Sequence, residues 1–451
     1  VADYSKIFKP YDIRGIVPGE LDENVAERVG AAFARLTGAS AVVTVHDMRT
    51  SSAPLAEAFG RGAASQGADV IAAGLGPTDM LYYASGSLGL PGAMVTASHN
   101  PAAYNGIKLC RAGARPVGEE TGLAELRQLA EAGPPPAQRP PGTITSRDLL
   151  TGYAEHMRSL VDLRHIRPLT VAVDAGNGMA GLSVPKVFDG LPITLVPLYF
   201  ELDGTFPNHV PNPIEPENLV DLQRAVTGHG ADIGLAFDGD ADRCFVVDER
   251  GEVVSPSVLT ALIAVRELAA EPGATIIHNL ITSRAVPEII AEHGGKPVRT
   301  RVGHSFIKAR MAETGAVFGG EHSGHFYFRD FWFADSGMLA ALHVLAALGG
   351  QDRPLSEMLA GYSRYHASGE INSEVSDQSA AAEAVRRAFA GQDGVTTDDL
   401  DGLTVSGDGW WLNVRPSNTE PLLRLNVEAR DEATLAALRA RVLGVIRGMS
   451  G

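Results

Sequence analysis

Residues 96–101 read Thr-Ala-Ser-His-Asn-Pro, and residues 238–243 read Asp-Gly-Asp-Ala-Asp-Arg. The first segment offers the hydroxyl of Ser98 at a turn that Pro101 stops, with His99 and Asn100 beside it to position or polarise. The second offers carboxylates at alternate positions, Asp238, Asp240 and Asp242, with Arg243 next to them. A hard cation and a nucleophilic or phosphorylated serine are the parts of a phosphoryl-transfer site. Carboxylates spaced in this way converge on one cation when the backbone loops, and all-oxygen ligands favour Mg²⁺ or Ca²⁺ over zinc. An EF-hand loop is the competing reading, since Glu249 falls at its twelfth position. Against it, Arg243 stands at the sixth position, where that loop needs glycine. The flanks, Ile233 to Phe237 and Cys244 to Val247, also read as strands rather than helices.

Three further segments carry groups of the same kind. Asn105-Gly-Ile-Lys108 places a lysine where it can neutralise a phosphoryl group. Gly319-Gly-Glu-His-Ser-Gly-His325 is a close-approach loop in which Glu321 and Ser323 suit vicinal sugar hydroxyls and His325 can move a proton near neutral pH. Arg415-Pro-Ser-Asn-Thr-Glu-Pro421 combines a planar guanidinium with the donors of Ser417, Asn418 and Thr419, a cradle for phosphate or carboxylate. Arg14 and the turn Gly303-His304-Ser305 add a basic and a polar candidate. Each segment also has a plain reading when taken alone: a Ser/Asn turn, a solvated lysine, a loop with incidental polar residues, a hairpin connection.

The elements that must position these groups follow a recurring pattern. An apolar run, a Ser/Thr- or Gly-rich turn, a helical stretch and a second apolar run occur three times, beginning at Ala41, Leu169 and Ala274. Short β-rich runs alternating with helices indicate βαβ units and mixed or parallel sheets. After about residue 365 the pattern changes to a helix over 380–389, paired strands at 410–414 and 422–428, and a terminal helix over 433–449. The reading is three related α/β domains at 1–143, 144–250 and 251–365, then a smaller α+β domain at 366–451. The Pro-rich stretch 133–142 is a loop or linker.

Composition bounds the class. At 451 residues, length implies about three or four domains. With 45% apolar and 20% charged residues the chain is globular, and its net charge of −16 disfavours a general nucleic-acid binder. Two cysteines, Cys110 and Cys244, make no disulfide framework, which fits a reducing cytosol. No apolar run reaches the length a bilayer needs: the best, 338–348, has 11 residues and contains His343. The N-terminal residues lack a signal-peptide apolar region. A soluble cytoplasmic protein, with no membrane or nucleic-acid partner and a monomer or weak dimer, is the expectation.

Taken together, TASHNP, DGDADR, GEHSGH and RPSNTEP resemble the signatures of the α-D-phosphohexomutase family, in particular its bacterial phosphomannomutase/phosphoglucomutase branch, in order and over essentially the whole chain. The resemblance implies four domains around a central cleft and an enzyme that interconverts hexose 1- and 6-phosphates, of mannose, glucose or both. It implies that Ser98 carries phosphate and binds Mg²⁺ with Asp238, Asp240 and Asp242, with Arg243 beside that site. It also implies that Glu321 and Ser323 bind sugar hydroxyls and that Arg415, Ser417, Asn418 and Thr419 hold the unreacting phosphate. Arg14, Lys108, His99, His304 and His325 match positions lining the reaction centre. A hexose 1,6-bisphosphate is then both intermediate and activator. A phosphoglucosamine mutase and a sugar phosphatase are the alternatives; Asn418 favours the mannose/glucose branch over the first. The chain departs from the branch at His322, where Met is usual, and at Leu280, which replaces a lysine near the substrate.

Overall fold

The computed structural model describes residues 3–133, 136–416 and 422–448, with every side chain among them except that of His304. Four sheets account for the strands. The first runs in the order Ile13–Ile16, Tyr104–Arg111, Gly92–Val95, Ala41–His46, Asp69–Leu75 and Ile144–Ser146, with Arg115–Pro116 paired to Tyr104–Arg111. The strand 144–146 lies past the boundary expected at 143, yet it pairs in parallel with Asp69–Leu75. The second sheet runs Val253–Val254, Cys244–Asp248, Ile233–Phe237, Leu169–Asp174, Ile193–Leu198. The third runs Lys296–Thr300, Thr275–Asn279, Phe318–Gly320, Phe326–Phe328, Ala334–Asp335.

One arrangement recurs in these three sheets. A parallel set, of four strands in the first sheet and three in each of the others, ends in a strand that turns back into an antiparallel partner. The pairs are Gly92–Val95 with Tyr104–Arg111, Ile233–Phe237 with Cys244–Asp248, and Phe318–Gly320 with Phe326–Phe328. The parallel strands are fed by helices, as βαβ connections require. Ile233–Phe237 is buried along its whole length, the mark of a strand covered on both faces. In each case the connection that turns the chain back carries one of the polar motifs: residues 96–101, 238–243 and 321–325.

The helices bring these turns together. Helix Gly337–Gly349 is buried nearly all round and starts against the Asp-rich turn: a Cβ on Gly337 would lie 2.6 Å from the carbonyl of Arg243. Its cap, Ser336, accepts from the N–H of Leu339 at 3.0 Å and donates to Asp79 at 2.7 Å, so one side chain starts the helix and ties it to the first domain. A single apolar core, from Val43 through Leu235 to Leu359, runs through all three sheets. Among the described residues no helix is long and apolar enough to cross a membrane.

The fourth sheet is antiparallel throughout, in the order His366–Glu374, Leu422–Ala429, Trp410–Pro416, Leu403–Gly407, Thr396–Asp398. It packs on helices Gln378–Phe389 and Glu432–Arg447 around its own core, from Val375 to Ile446. Its apolar link to the third domain is a small patch in which Trp411 meets Leu280 and Ile281. Polar bonds frame the patch: the N–H of Val302 donates to Asp401 at 3.0 Å, and that of Arg284 to Glu428 at 2.9 Å. Leu280, a departure noted in the sequence, is therefore buried in a domain contact.

Trp411 also donates its indole N–H to Glu428 at 2.8 Å. Trp411→Ala is expected to cost about 3–5 kcal/mol in unfolding free energy. Because the fourth core is separate, calorimetry should then resolve its melting as an earlier transition. One unshifted transition would show that the patch does not couple the two bodies.

Candidate active site

Ser98 sits at the tip of the first turn in the left-handed region, with φ 51, and is 2% exposed. A non-glycine residue is strained there, and such strain persists only where the surroundings enforce it. Arg49 does the enforcing. Its guanidinium donates to the carbonyls of Pro101 at 2.9 Å, Tyr104 at 3.0 Å, Ser98 at 2.9 Å and Asn100 at 2.6 Å. Asp47, fully buried, holds Arg49 at 3.3 Å and accepts from Ser52 at 2.5 Å. Phe206 of the second domain covers the guanidinium at 4.9 Å.

The Ser98 hydroxyl donates to Asp238 at 2.7 Å, joining the first turn to the second. Gly239 permits this approach: a Cβ there would lie 2.5 Å from the carbonyl oxygen of Ser98. Ala241, with φ 59, completes a turn that aims three carboxylates at one point. Asp238, Asp240 and Asp242 are all buried, and each offers an oxygen within 4.8 Å of the others'. Thr78 anchors the turn from the first domain, its hydroxyl donating to the Asp240 carboxylate at 2.6 Å and its N–H to the Asp240 carbonyl at 3.0 Å.

Cations ring this cluster. Lys108 donates to Asp240 at 2.7 Å and to Asp242 at 2.5 Å, and Arg243 lies 3.6 Å from Asp238. Burial, then the charges of Asp242 and Asp240, push the Asp238 carboxyl well above the usual range. Burial also opposes ionisation of Asp242, but Lys108, His325 and Arg243 outweigh it and hold that carboxyl well below. For Lys108, burial works against the charge and the two carboxylates reverse it, so the ammonium is retained. Oδ1 of Asp240 and Oδ1 of Asp242 are buried without a hydrogen-bond partner. Orphaned carboxylate oxygens at the focus of an all-oxygen donor set fit a hard divalent cation.

The expected neighbours of Ser98 take distinct places. His99 Nδ1 lies 3.1 Å from Arg243 Nη2 and 3.2 Å from Ser98 Oγ. Arg243, burial and Arg14 hold the His99 ring neutral, so Nδ1 accepts from the guanidinium. Arg14 donates to Asn100 at 2.5 Å and to the carbonyl of Ala97 at 3.3 Å, and pairs with Asp12.

The third turn reaches the same centre. His325 Nε2 lies 3.5 Å from Asp242, and its Nδ1 is 3.0 Å from Ser323 Oγ. Glu321 is held from behind by Tyr327, which donates at 2.5 Å, and by Asn279 at 3.2 Å. His322 points elsewhere, into a cavity of about 210 Å³ at the seam with the fourth domain, lined also by Trp411 and Asn426. Arg415 belongs to that fourth domain and donates to Glu370 at 2.6 Å. Ser417, Asn418 and Thr419 lie outside the described residues, as does the side chain of His304, whose backbone opens helix His304–Thr314.

Arg49, Thr78, Tyr327 and Gly239 were not legible as site residues. Their role rests on contacts between segments far apart in the chain. Arg49→Lys removes the fork that spans four carbonyls. It is expected to cost about 2–4 kcal/mol and to speed amide exchange across residues 96–104, as hydrogen-exchange mass spectrometry would read. Unaltered exchange would remove Arg49 as the support of this turn.

Models of the phosphoglucomutase/phosphomannomutase family match the chain in four parts: α/β/α domain I at residues 5–134, domain II at 151–251, domain III at 256–365 and the C-terminal domain at 370–445. A phosphohexose mutase of Xanthomonas campestris is 42% identical over 444 residues, covering 98% of this chain and 99% of its own. A phosphomannomutase of Salmonella typhimurium is 40% identical over 445 residues, covering 97% of each. The crystal structure of a phosphoglucomutase/phosphomannomutase family protein from Burkholderia thailandensis matches with a TM-score of 0.90 at 33% identity, covering 100% of this chain and 99% of that one. Four domain matches in order, and likeness over the full length, carry one conclusion: this chain belongs to the phosphoglucomutase/phosphomannomutase family.

Proposed function

We propose that this protein interconverts hexose 1-phosphate and hexose 6-phosphate, of mannose, glucose or both, through a phosphorylated Ser98 and a hexose 1,6-bisphosphate. The observation that carries the reading is the hydrogen bond of 2.7 Å from the strained Ser98 to Asp238, inside a buried triad of carboxylates. The phosphomannomutases and phosphohexose mutase among its relatives support it.

The steps follow from the residues. The free hydroxyl of a bound hexose phosphate attacks the phosphorus of phospho-Ser98; the P–O bond to Ser98 breaks and the Ser98 oxygen leaves. His325 takes the proton of the attacking hydroxyl, held by Ser323 on its other nitrogen. Lys108, Arg243 and Arg14 offset charge on the transferring group. Asp238, Asp240 and Asp242 together with the Ser98 phosphate hold Mg²⁺, which when bound supplies Lewis-acid stabilisation of that charge. Glu321 accepts from sugar hydroxyls, and Arg415 with the 417–419 loop grips the phosphate that does not react. The bisphosphate then turns end over end and its other phosphate returns to Ser98. His304 is the other candidate for the proton; Lys108, whose ammonium Asp240 and Asp242 retain, acts through its charge and not as the base. A trace of the bisphosphate serves as activator, because it recharges a dephosphorylated Ser98.

We further propose a cytoplasmic enzyme, monomeric or weakly dimeric; Cys110 and Cys244, both buried and free, support a reducing compartment.

The test is a coupled assay on mannose 1-phosphate and glucose 1-phosphate in parallel, with Mg²⁺ and a trace of glucose 1,6-bisphosphate. Formation of a 6-phosphate, abolished by EDTA, is expected. Release of inorganic phosphate instead would make the protein a phosphatase, and turnover of glucosamine 1-phosphate alone would make it a phosphoglucosamine mutase. Ser98→Ala is expected to lower turnover by at least about a thousandfold with an unchanged circular dichroism spectrum. Asp240→Asn should weaken activity and Mg²⁺ dependence together; an unaltered Mg²⁺ titration would take Asp240 out of the site.

A further inference from the structure

Arg415 and Arg424 face each other directly across neighbouring strands of the fourth sheet. Directly opposed residues share a face, so two guanidinium groups stand at cross-strand distance. Like charges in that arrangement repel unless an anion lies between them. Glu370 supplies the anion. It follows an irregularity in the edge strand, where the register shifts between Ala367 and Glu370 and Gly369 adopts φ 67. Bulges of this kind re-aim a side chain. One Glu370 oxygen accepts from Arg415 at 2.6 Å, and the other lies 3.5 Å from Arg424. Across the domain seam His322 feels the charges of Glu370 and Arg415, and burial holds it neutral. Arg415 is 9% exposed, so water alone does little to stabilise its charge.

We infer that Glu370 is a positioning residue that stands in for the substrate phosphate on Arg415. It takes the guanidinium when the phosphate leaves and yields it when the phosphate arrives, while Arg424 retains the carboxylate meanwhile. This inference rests on the reading of Arg415 as the grip for the unreacting phosphate. The physical reason is the release step. A dianion leaving a nearly buried guanidinium exposes an unpaired charge, which raises the barrier to departure. A carboxylate already within reach removes that barrier. A bisphosphate that must let go of the cradle and return by its other end needs this exchange once in every turnover. The same competition lowers the affinity for either hexose phosphate, so Glu370 trades tight binding for fast release.

The test uses the full-length protein with Glu370→Gln, which keeps the shape and removes the charge, and Glu370→Asp as the conservative variant. Calorimetric titration with glucose 6-phosphate in EDTA, where the proposed mutase does not turn over, reads the cradle alone, and kcat and KM are measured separately with Mg²⁺. Glu370→Gln is expected to bind glucose 6-phosphate about tenfold more tightly, with KM and kcat both reduced; Glu370→Asp should recover part of each. Glu432→Gln, at a site 84% exposed, controls for net charge and should change neither. Unchanged or weaker binding in Glu370→Gln would overturn the inference, since a residue that only props Arg415 loosens the grip when removed. If the wild-type protein binds no hexose phosphate, the mutase reading fails instead.

Discussion

Three carboxylates share one buried point, and most of what surrounds them answers that constraint. Asp238, Asp240 and Asp242 repel one another where water cannot screen them. A cluster of this kind stands only where positive charge and hydrogen bonds meet it from several sides. Lys108 comes from the first sheet, Arg243 from the cluster's own turn, Thr78 from a helix start, and His325 from the third sheet. No single domain contains that set. The continuous core through the first three sheets is thus a requirement of the electrostatics as much as of apolar burial.

Sheet topology makes the meeting possible. In all three α/β domains the turn that matters follows the third strand of the parallel set, where the chain reverses into an antiparallel partner. A reversal at a strand end presents short polar residues beyond the edge of the sheet, close to helix starts. Three copies of one device, packed on a common core, bring three such edges together. The fourth domain is built otherwise: it is antiparallel, has its own core, and meets the third through a small apolar patch. Groups that must stay fixed relative to one another lie on the shared core. Under the proposed mechanism, the groups that grip and release lie on the separate body.

Much of this was legible in the sequence because it is local. The turn 238–243 sits between two apolar strands, and its alternate aspartates converge as their spacing implies. Ser323 and His325 are two residues apart and meet. The β-rich runs at 41–46, 169–174 and 233–237 announced their strands through branched apolar residues. What stayed hidden depends on contacts across the chain. Arg49 follows a strand end like any surface arginine, and only the fold wraps four carbonyls around it. Strand 144–146 is wholly exposed, so it has no apolar alternation to betray it. Glu370 is one acidic residue among several until a register shift sets it against two arginines.

The depth of Ser98 limits what could place a phosphate on it. With 2% of its surface exposed, this serine is out of reach of the active site of another macromolecule. A protein kinase or phosphatase needs several residues of extended chain around its target, and here Arg49 holds those residues in a closed turn. Under the proposed mechanism, only a small ligand that enters the cleft can load or unload the hydroxyl. The working state of each molecule is then inherited from the sugar bisphosphate it last met, and its control belongs to metabolite chemistry rather than to signalling proteins.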